Sequence, residues 1–240
     1  MLKKDNLMFE DQQDAALKLY EILPTDEIIS TKPLIIASSL VAVPLVDIIA
    51  SRLNLNYEVM FTEKIYSPVN KECLIAMVSE TKELVFIEEL VKSFDISLDY
   101  IYGEADRKYE EGVLKKIYKY RKGALLQSFE GRDILLVDEG CETGITAMVC
   151  LKSIISLNPR SVSYATPLIA SDTAEILKTV ADQIFCVRTI ADFVGVDFYY
   201  KNKVEPTPEL VLNTLEASPH YLPLIKEGEI CSTESKSTTK

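Results

Sequence analysis

The chain is poor in positive charge and contains no long apolar run. Lys and Arg together number 26 against 37 Asp and Glu in 240 residues, which gives a net charge of -11. Because nucleic acids and anionic membranes bind clustered cations, we expect neither as a partner. No segment approaches the roughly 18 continuous apolar residues that a membrane span requires, and the opening MLKKDN lacks the apolar core of a signal peptide. These absences predict a cytoplasmic protein.

Cysteine and histidine are also scarce. The five cysteines are an odd number without a CxxC pair, which fits reduced thiols better than a disulfide framework or a zinc site. The single histidine, His220, has no partner at the spacing of a catalytic triad or a metal site. Neither a GKS or GKT loop nor a GxGxxG pattern occurs, so the common nucleotide-binding fingerprints are missing. Any chemistry must come from other residues.

The stretch 134–146, ILLVDEGCETGIT, joins an apolar strand to a polar turn. Four apolar residues in a row fit a central parallel strand that is covered on both faces. Open α/β sheets bind ligands at the carboxyl ends of such strands, where Asp138 and Glu139 would lie. Two ionised carboxylates can accept hydrogen bonds from the adjacent hydroxyls of a ribose. The alternative is an ordinary strand, turn and helix whose acidic residues lie near the helix N-terminus.

The turn that follows has the composition of a phosphate-binding loop. Gly140 and Gly144 allow the backbone to turn tightly and to approach a ligand closely. Thr143 and Thr146 offer hydroxyl donors, and residues 147–155 are predicted to form a helix. The N-terminal amides and positive dipole end of a helix favour a phosphate. The two segments together therefore predict a site for a sugar phosphate.

The same stretch resembles the signature of the type I phosphoribosyltransferases, which has an apolar strand, two acidic residues and a TG-T loop. The chain also shows a fainter similarity, over most of its length, to a bacterial group named putative phosphoribosyltransferases, whose substrate is unassigned. That similarity includes residues 9–19, 34–37, 43–46, 64–76 and 120–123. The resemblance implies an α/β fold with a doubly wound parallel sheet. It also implies a small hood, built from the N-terminal and C-terminal segments, and a flexible antiparallel flap that extends over residues 65–78 or beyond.

The resemblance further implies how the loop would bind phosphoribosyl pyrophosphate. Asp138 and Glu139 would bind the ribose hydroxyls and share a Mg2+ ion with the pyrophosphate, as suits hard oxygen ligands. The remaining substrate-binding residues of the loop would be Gly140, Cys141, Thr143, Gly144, Ile145 and Thr146. Cys141 can also be read as a small side chain that fills the turn, and this reading is the favoured one.

The same resemblance implies roles for four further residues. Glu142 would exchange a proton with the base as a general acid or base, and Lys64 would contact pyrophosphate. Phe193 would stack on the base, and Arg121 would close over the site. The alternatives are a solvent-facing loop residue for Glu142, an exposed strand end for Lys64 and a core aromatic for Phe193.

One departure from the family pattern concerns the pyrophosphate. Where the family has an Arg-Gly-Gly turn, this chain has Leu40, Val41 and Ala42. Two β-carbons replace bare backbone, and an apolar side chain replaces the guanidinium. Ser38 and Ser39 can supply hydroxyls and amides at this turn, but they cannot supply a positive charge.

The apolar periodicity alternates between helix and strand, which predicts one doubly wound domain over residues 1–225. The polar tail 226–240 is predicted to be disordered. The charged run 97–120 is read as a long helix with a solvated face. Helices are also predicted at 11–22, 43–53 and 172–180, parallel strands at 33–37, 57–63, 161–166 and 183–187, and an antiparallel pair at 74–78 and 84–87.

The leading hypothesis is a phosphoribosyltransferase of nucleotide metabolism. It would bind phosphoribosyl pyrophosphate with Mg2+, transfer ribosyl 5-phosphate to a nitrogenous base and release pyrophosphate. The first alternative is a non-catalytic sensor of a nucleoside monophosphate or sugar phosphate, because the pyrophosphate turn is altered. A second is a structural partner with a vestigial pocket. The family resemblance also implies a homodimer.

Overall fold

The computed structural model describes residues 9–202 and 204–224. Its helices are α1 (Gln12–Ile22), α2 (Thr25–Thr31), α3 (Val43–Leu53), α4 (Glu88–Ser93), α5 (Leu98–Lys108), α6 (Leu114–Arg121), α7 (Ile145–Ile155), α8 (Ser171–Leu177) and α9 (Pro208–Ala217). A π-helical turn, Tyr109–Val113, joins α5 to α6, and two 3-10 turns span Val196–Tyr199 and Leu222–Leu224. The tail 226–240, predicted to be disordered, lies outside the described residues.

The strands form two separate sheets. They are β1 (Leu34–Ala37), β2 (Tyr57–Val59), β3 (Thr62–Tyr66), β4 (Leu74–Ser79), β5 (Leu84–Phe86), β6 (Asp133–Val137), β7 (Ser161–Ala170) and β8 (Gln183–Ile190). Five parallel strands form the central sheet in the order β2-β1-β6-β7-β8, and β3-β4-β5 form an antiparallel sheet. The predicted α/β class, with a central parallel sheet and an antiparallel flap, is confirmed.

The central sheet is covered on both faces, as continuous apolar strands require. Alternate residues of β1 point to opposite sides, so Ile35 and Ala37 join one core cluster while Leu34 and Ile36 join the other. The first cluster contains buried residues of α1, α3 and α9, and the second contains buried residues of α7 and α8. The position of β1 and β6 in the middle of the sheet fixes where their carboxyl ends lie.

The small sheet has its own core. Ile65, Ile75 and Val78 are buried against Val91 of α4 and Ile101 of α5. This third cluster joins the antiparallel sheet to the first part of the long helical segment. The small sheet also packs against α7, the helix that follows the predicted phosphate loop.

The N-terminal and C-terminal segments, predicted to form a hood, are joined by backbone hydrogen bonds. The Phe9 amide donates to the Tyr199 carbonyl at 2.7 Å, and the Lys201 amide donates to the Phe9 carbonyl at 2.8 Å. The rings of Phe9 and Tyr200 pack with their centroids 5.3 Å apart. Within the described residues, no helix combines the length and the apolarity needed to cross a membrane.

Two predicted elements differ from the structure. The single strand expected over 57–63 is wrong, because β2 lies in the central sheet and β3 in the antiparallel one. The chain changes sheet at Met60 and Phe61, where the Met60 amide donates to the Ala37 carbonyl and the Phe61 amide to the Glu80 carboxylate. The helix expected over 97–120 is present, but a π-turn interrupts it.

Candidate functional site

A cavity of about 420 Å³ lies at the carboxyl ends of β1 and β6. Parallel strands place their carboxyl ends at one edge of the sheet, where open α/β folds bind ligands. The small sheet and the long helical segment form the opposite walls. The lining residues are Ser39, Leu40, Val41, Met60, Phe61, Thr62, Glu63, Lys64, Tyr66, Met77, Lys108, Lys116, Asp138, Glu139, Gly140 and Thr146.

The acidic pair after β6 is held by neutral donors. Asp138 is 4% exposed; its Oδ1 accepts from the Glu139 amide at 2.9 Å and its Oδ2 from the Tyr164 hydroxyl at 3.2 Å. Glu139 Oε2 accepts from the Ser39 hydroxyl at 3.3 Å, and the Glu139 carbonyl accepts from the Tyr200 hydroxyl at 2.9 Å. Side chains from the turn after β1, from β7 and from the C-terminal segment thus fix the two acids in the cavity wall.

The two tyrosines that contact the acidic pair act as hydrogen-bond donors because their hydroxyls stay protonated. Burial raises the pKa of Tyr164 well above its usual value, and the charge of Asp138 adds to the shift. Burial likewise raises the pKa of Tyr200, with the charges of Glu139 and Asp138 acting in the same direction. Both hydroxyls therefore stay protonated at neutral pH and hold the acidic segment in place.

The acidic pair suits a hard divalent cation only in part. Mg2+ prefers oxygen ligands and is commonly bound by one or two carboxylates together with the phosphates of a substrate. Asp138 and Glu139 supply two carboxylates at one edge of the cavity. Across residues 9–202 and 204–224, no group of three or more His, Cys, Asp and Glu side chains could hold a metal ion. The residues present therefore fit a Mg2+ ion that is bound jointly with a phosphorylated ligand.

Glycine is required at both predicted positions of the turn. A Cβ at Gly140 would lie 2.7 Å from Cγ1 of Val196. Gly144 has a φ of +73°, and a Cβ there would lie 2.6 Å from Cγ2 of Thr173. The turn is thus packed tightly against the segment 196–199 and the start of α8. A β-carbon at either glycine would displace the loop from the cavity edge.

Cys141 anchors this turn from the inside. Its amide donates to the Leu168 carbonyl at 2.8 Å, and its carbonyl accepts from the Ala170 amide at 3.0 Å. The side chain is 3% exposed and joins the second core cluster. Burial, with a further contribution from the Asp138 charge, raises the pKa of the thiol to about 12. Cys141 is thus a packing residue, as the simpler sequence interpretation had it, and its side chain does not face the cavity.

The residues predicted to bind the phosphate, 143–146, line two different cavities. Thr146 lines the main cavity, and its hydroxyl donates to Met77 Sδ at 3.4 Å. Thr143, Gly144 and Ile145 line a smaller cavity of about 160 Å³ that the edge of the small sheet closes. Gly144 caps α7 without a side-chain hydrogen bond, which leaves the first amides of the helix without a side-chain acceptor at the cap.

Of the two residues predicted to be catalytic, Lys64 lines the main cavity and Glu142 does not. Glu142 is exposed and is absent from the main cavity; its carbonyl accepts from the Thr173 hydroxyl at 2.6 Å. Lys64, an exposed residue of β3, does line the cavity. The arrangement brings Lys64 to the predicted site and leaves the Glu142 carboxylate on the outer side of the turn.

The turn after β1, residues 40–42, forms an apolar part of the wall. Leu40 and Val41 line the cavity, whereas Ala42 is fully buried. The Ser39 hydroxyl accepts from the Ala42 amide at 3.2 Å and so ties the turn together. Ser38 is fully buried, and its hydroxyl has no hydrogen-bond partner among the described residues. Ser39 is thus the serine that reaches the cavity.

Arg121 lies in the core and does not close over the site as predicted. Its side chain forms an ion pair with Glu80 at 2.6 Å and donates to the Val59 carbonyl at 2.7 Å. The guanidinium also stacks on Phe61 at 4.7 Å from the ring centroid. Phe61 lines the cavity, so Arg121 supports the wall from behind. The buried pairing of a cation with a carboxylate explains why this arginine is not at the surface.

Phe193 is half-buried and packs on Tyr199, with the ring centroids 5.2 Å apart. It is not among the residues that line the main cavity. Sequence reasoning missed eight lining residues, which are Met60, Phe61, Thr62, Glu63, Tyr66, Met77, Lys108 and Lys116. The two lysines belong to the charged run that was interpreted as a solvated helix face. Their position on the cavity depends on the π-turn, and no sequence pattern indicated that turn.

Comparisons with known proteins agree with the family resemblance. No protein-family model matches the chain. Two curated proteins, each named a putative phosphoribosyl transferase, are 23% identical to it over 210 residues. They come from Mycobacterium tuberculosis strains CDC 1551 / Oshkosh and ATCC 25618 / H37Rv. The matches cover 87% of this chain and 46% of each relative, so the chain spans about half the length of the curated relatives it matches. The resemblance predicted from the sequence is confirmed by these relatives.

A solved structure shares the fold. The crystal structure of TT1426 from Thermus thermophilus aligns with a TM-score of 0.69 at 27% sequence identity. The alignment covers 86% of this chain and 97% of that chain. The arrangement of strands and helices described above is therefore shared over nearly the whole length of a protein of known structure.

Proposed function

We propose that this chain, a relative of proteins named putative phosphoribosyl transferase, binds phosphoribosyl pyrophosphate and transfers its ribosyl 5-phosphate to a nitrogenous base. The observation that carries the proposal is the acidic pair, Asp138 and Glu139, fixed at the carboxyl end of a central strand beside a glycine turn. Carboxylates suit the ribose hydroxyls, and the start of α7 suits the 5-phosphate. Asp138, Glu139 and Thr146 of α7 line the main cavity, whereas Ile145 lines the smaller one.

Positioning and charge would perform most of the chemistry. The bond between C1 of the ribose and the pyrophosphate oxygen breaks, and the leaving pyrophosphate takes the electron pair. A ring nitrogen of the base forms the new bond to C1 and releases its proton to solvent. Asp138 and Glu139 would orient the sugar and stabilise the positive charge that develops at C1, so no covalent intermediate with the protein is needed. A Mg2+ ion held by these carboxylates and the ligand would supply neutralisation of the diphosphate charge.

Calorimetric titration tests the proposal. The enzyme requires phosphoribosyl pyrophosphate with Mg2+ to bind more tightly than ribose 5-phosphate or a nucleoside monophosphate. A panel of purines and pyrimidines should then identify a base that releases pyrophosphate. If no ligand of the set binds, or if no base supports pyrophosphate release, the chain is not a phosphoribosyltransferase.

A second function is favoured by one specific feature of the wall. Leu40 and Val41 give the cavity an apolar surface where a cationic turn would bind diphosphate. A non-catalytic sensor of a nucleoside monophosphate would need only the ribose and monophosphate parts of the site. Such a sensor would rank the monophosphate above phosphoribosyl pyrophosphate in the same titration.

A further inference from the structure

We infer that Lys108 and Lys116 of the helical arm form a cationic wall that binds the diphosphate group of the ligand. The helical arm is defined as α5, the π-turn and α6, residues 98–121. The inference deepens the proposed function and rests on it, because the wall lies in the cavity that would bind the sugar phosphate. It assigns the positive charge that the turn at residues 40–42 lacks to a different element of the fold.

Both lysines lie on the main cavity, although they are eight residues apart. In a regular α-helix, residues at this spacing are separated by roughly 80° around the axis. The π-turn Tyr109–Val113 lies between them and takes one extra residue into a turn. Eight residues then cover about the rotation of seven, and the separation falls to roughly 20°. The π-turn thus places Lys108 and Lys116 on the same face.

The packing of the arm on β3 fixes this face against the cavity. Lys116 Nζ donates to the Thr62 carbonyl at 2.6 Å and forms an ion pair with Glu63 Oε1 at 2.8 Å. A Cβ at Gly112 would lie 2.5 Å from Cδ of Glu63, so glycine lets the π-turn approach the strand. An ammonium group carries three donors, of which these contacts use two. Lys116 is therefore held in place and keeps one N–H donor for a ligand.

The cavity lining carries charges of both signs. Asp138 and Glu139 lie at the carboxyl end of β6, whereas Lys64, Lys108 and Lys116 come from the small sheet and the arm, together with Glu63, which pairs with Lys116. Neither Lys64 nor Lys108 forms a salt bridge with any residue that the structure describes. A ligand with hydroxyls at one end and a diphosphate at the other matches this arrangement. Against an overall charge of -11, a local cluster of lysines is what would draw such an anion into the cavity.

The alternative interpretation is that these lysines belong to a solvated helix face and bind no ligand. Another lysine of the arm provides a control that separates the two interpretations. Lys115 is exposed and lies next to Lys116 in the sequence, but it does not line the cavity. The substitution Lys115→Gln removes the same charge from the same helix. Any effect of overall charge or of helix stability will therefore appear in this variant as well.

The experiment is a calorimetric titration of the full chain with inorganic pyrophosphate in the presence of Mg2+, and separately with ribose 5-phosphate. We expect Lys108→Gln and Lys116→Gln each to weaken pyrophosphate binding by about tenfold or more, the loss of one hydrogen bond to a charged group. Binding of ribose 5-phosphate should stay at the wild-type level in both variants. Lys115→Gln should match the wild type with both ligands.

The two ligands separate the inference from the proposed function. If wild type and Lys108→Gln bind pyrophosphate equally, or if the wild type does not bind it, the cationic wall is refuted, whatever ribose 5-phosphate does. If pyrophosphate binding depends on Lys108 while ribose 5-phosphate does not bind, the wall stands and the phosphoribosyltransferase proposal fails. Lys108 forms no salt bridge with the described residues, so its variant keeps the test valid even if Lys116→Gln folds poorly.

Discussion

Asp138 is the residue whose environment says most about the site. It is a buried carboxylate that none of the salt bridges among the described residues includes, and two neutral donors hold it. Burying a carboxylate is costly unless hydrogen bonds or a cation compensate. Here the Tyr164 hydroxyl and the Glu139 amide compensate in part. A ligand that brings hydroxyls or a cation to the cavity edge would complete the compensation.

We therefore predict that Asp138→Asn weakens binding of ribose 5-phosphate by about tenfold, because an amide loses the charge and one acceptor oxygen. The matched control is Asp133→Asn, the same change at the opposite end of β6, where the carboxylate pairs with the exposed Arg160. Calorimetry on both variants is the measurement. Equal affinities for the two variants would show that the acidic pair does not contact the sugar.

Glu58 shows a different kind of buried acid. The residue is fully buried in β2, and neither carboxyl oxygen has a hydrogen-bond partner among the described residues. Burial raises its pKa to about 7, although the charge of Arg121 acts in the opposite direction. Between its unfolded pKa of 4.5 and this value, the folded chain keeps a proton that the unfolded chain releases. Stability therefore falls as the pH rises through this window.

The predicted loss is on the order of 1 to 3 kcal/mol in the free energy of unfolding between about pH 5 and pH 8. Glu58→Gln should remove this slope and make the chain more stable than the wild type at about pH 8. Urea unfolding at several pH values measures both effects. Glu21→Gln, a change at an exposed glutamate of α1, should keep the wild-type slope. If Glu58→Gln also keeps it, the buried carboxyl does not control stability.

At the scale of single residues, sequence chemistry predicted the acidic pair and the glycine turn but not their supports. Tyr164 and Tyr200 lie 26 and 61 residues beyond the acids that they contact, and nothing local marks them as donors. The same applies to Arg121, whose partner Glu80 is 41 residues away in the sequence. Long-range polar pairs of this kind depend on the tertiary fold.

At the scale of elements, the apolar pattern of the sequence predicted α3 and β1 correctly. The helix predicted over 43–53 matches α3, which has Pro44 in its first turn and a left-handed Asn54 at its C-cap. Strand β1 is buried at every residue, as its continuous apolar run requires. Elements α2, α4 and α9 were missed, and of these α2 and α4 are only 7 and 6 residues long, which leaves little periodicity to detect. Thr207 and Pro208 did mark the start of α9 by capping.

The π-turn gives a prediction at this scale. In Gly112→Ala the new Cβ must displace the Glu63 side chain, which is the ion-pair partner of Lys116. Pyrophosphate affinity should fall by a few-fold, while the free energy of unfolding changes by less than about 1 kcal/mol, because the displaced group is flexible and alanine favours helix.

The control for this change is Gly103→Ala in α5, where an added Cβ meets no atom within 4 Å. That variant should gain up to about 1 kcal/mol in stability and keep its ligand affinity. Calorimetry and urea unfolding on the pair supply the measurements. An unchanged pyrophosphate affinity in Gly112→Ala would argue that the approach of the arm to β3 does not matter for binding.

At the scale of the whole molecule, the fold brings together segments that are far apart in the chain. The carboxyl ends of β1 and β6 meet the start of β3 and the middle of the helical arm around one cavity. The α/β class and the parallel sheet were predictable from apolar patterning, and the family resemblance from one loop. The assembly of the lysine wall was not, because it depends on how the antiparallel sheet and the arm dock. A homodimer and a cytoplasmic location stay predictions.

The central claim is that the cavity at the end of β6 binds a phosphorylated pentose. A crystal structure with ribose 5-phosphate bound tests it most directly. The account predicts ribose hydroxyls within hydrogen-bond distance of the Asp138 and Glu139 carboxylates, and the phosphate at Thr146 and the first amides of α7. A ligand bound elsewhere, or a cavity that stays empty at saturating ligand, would contradict it.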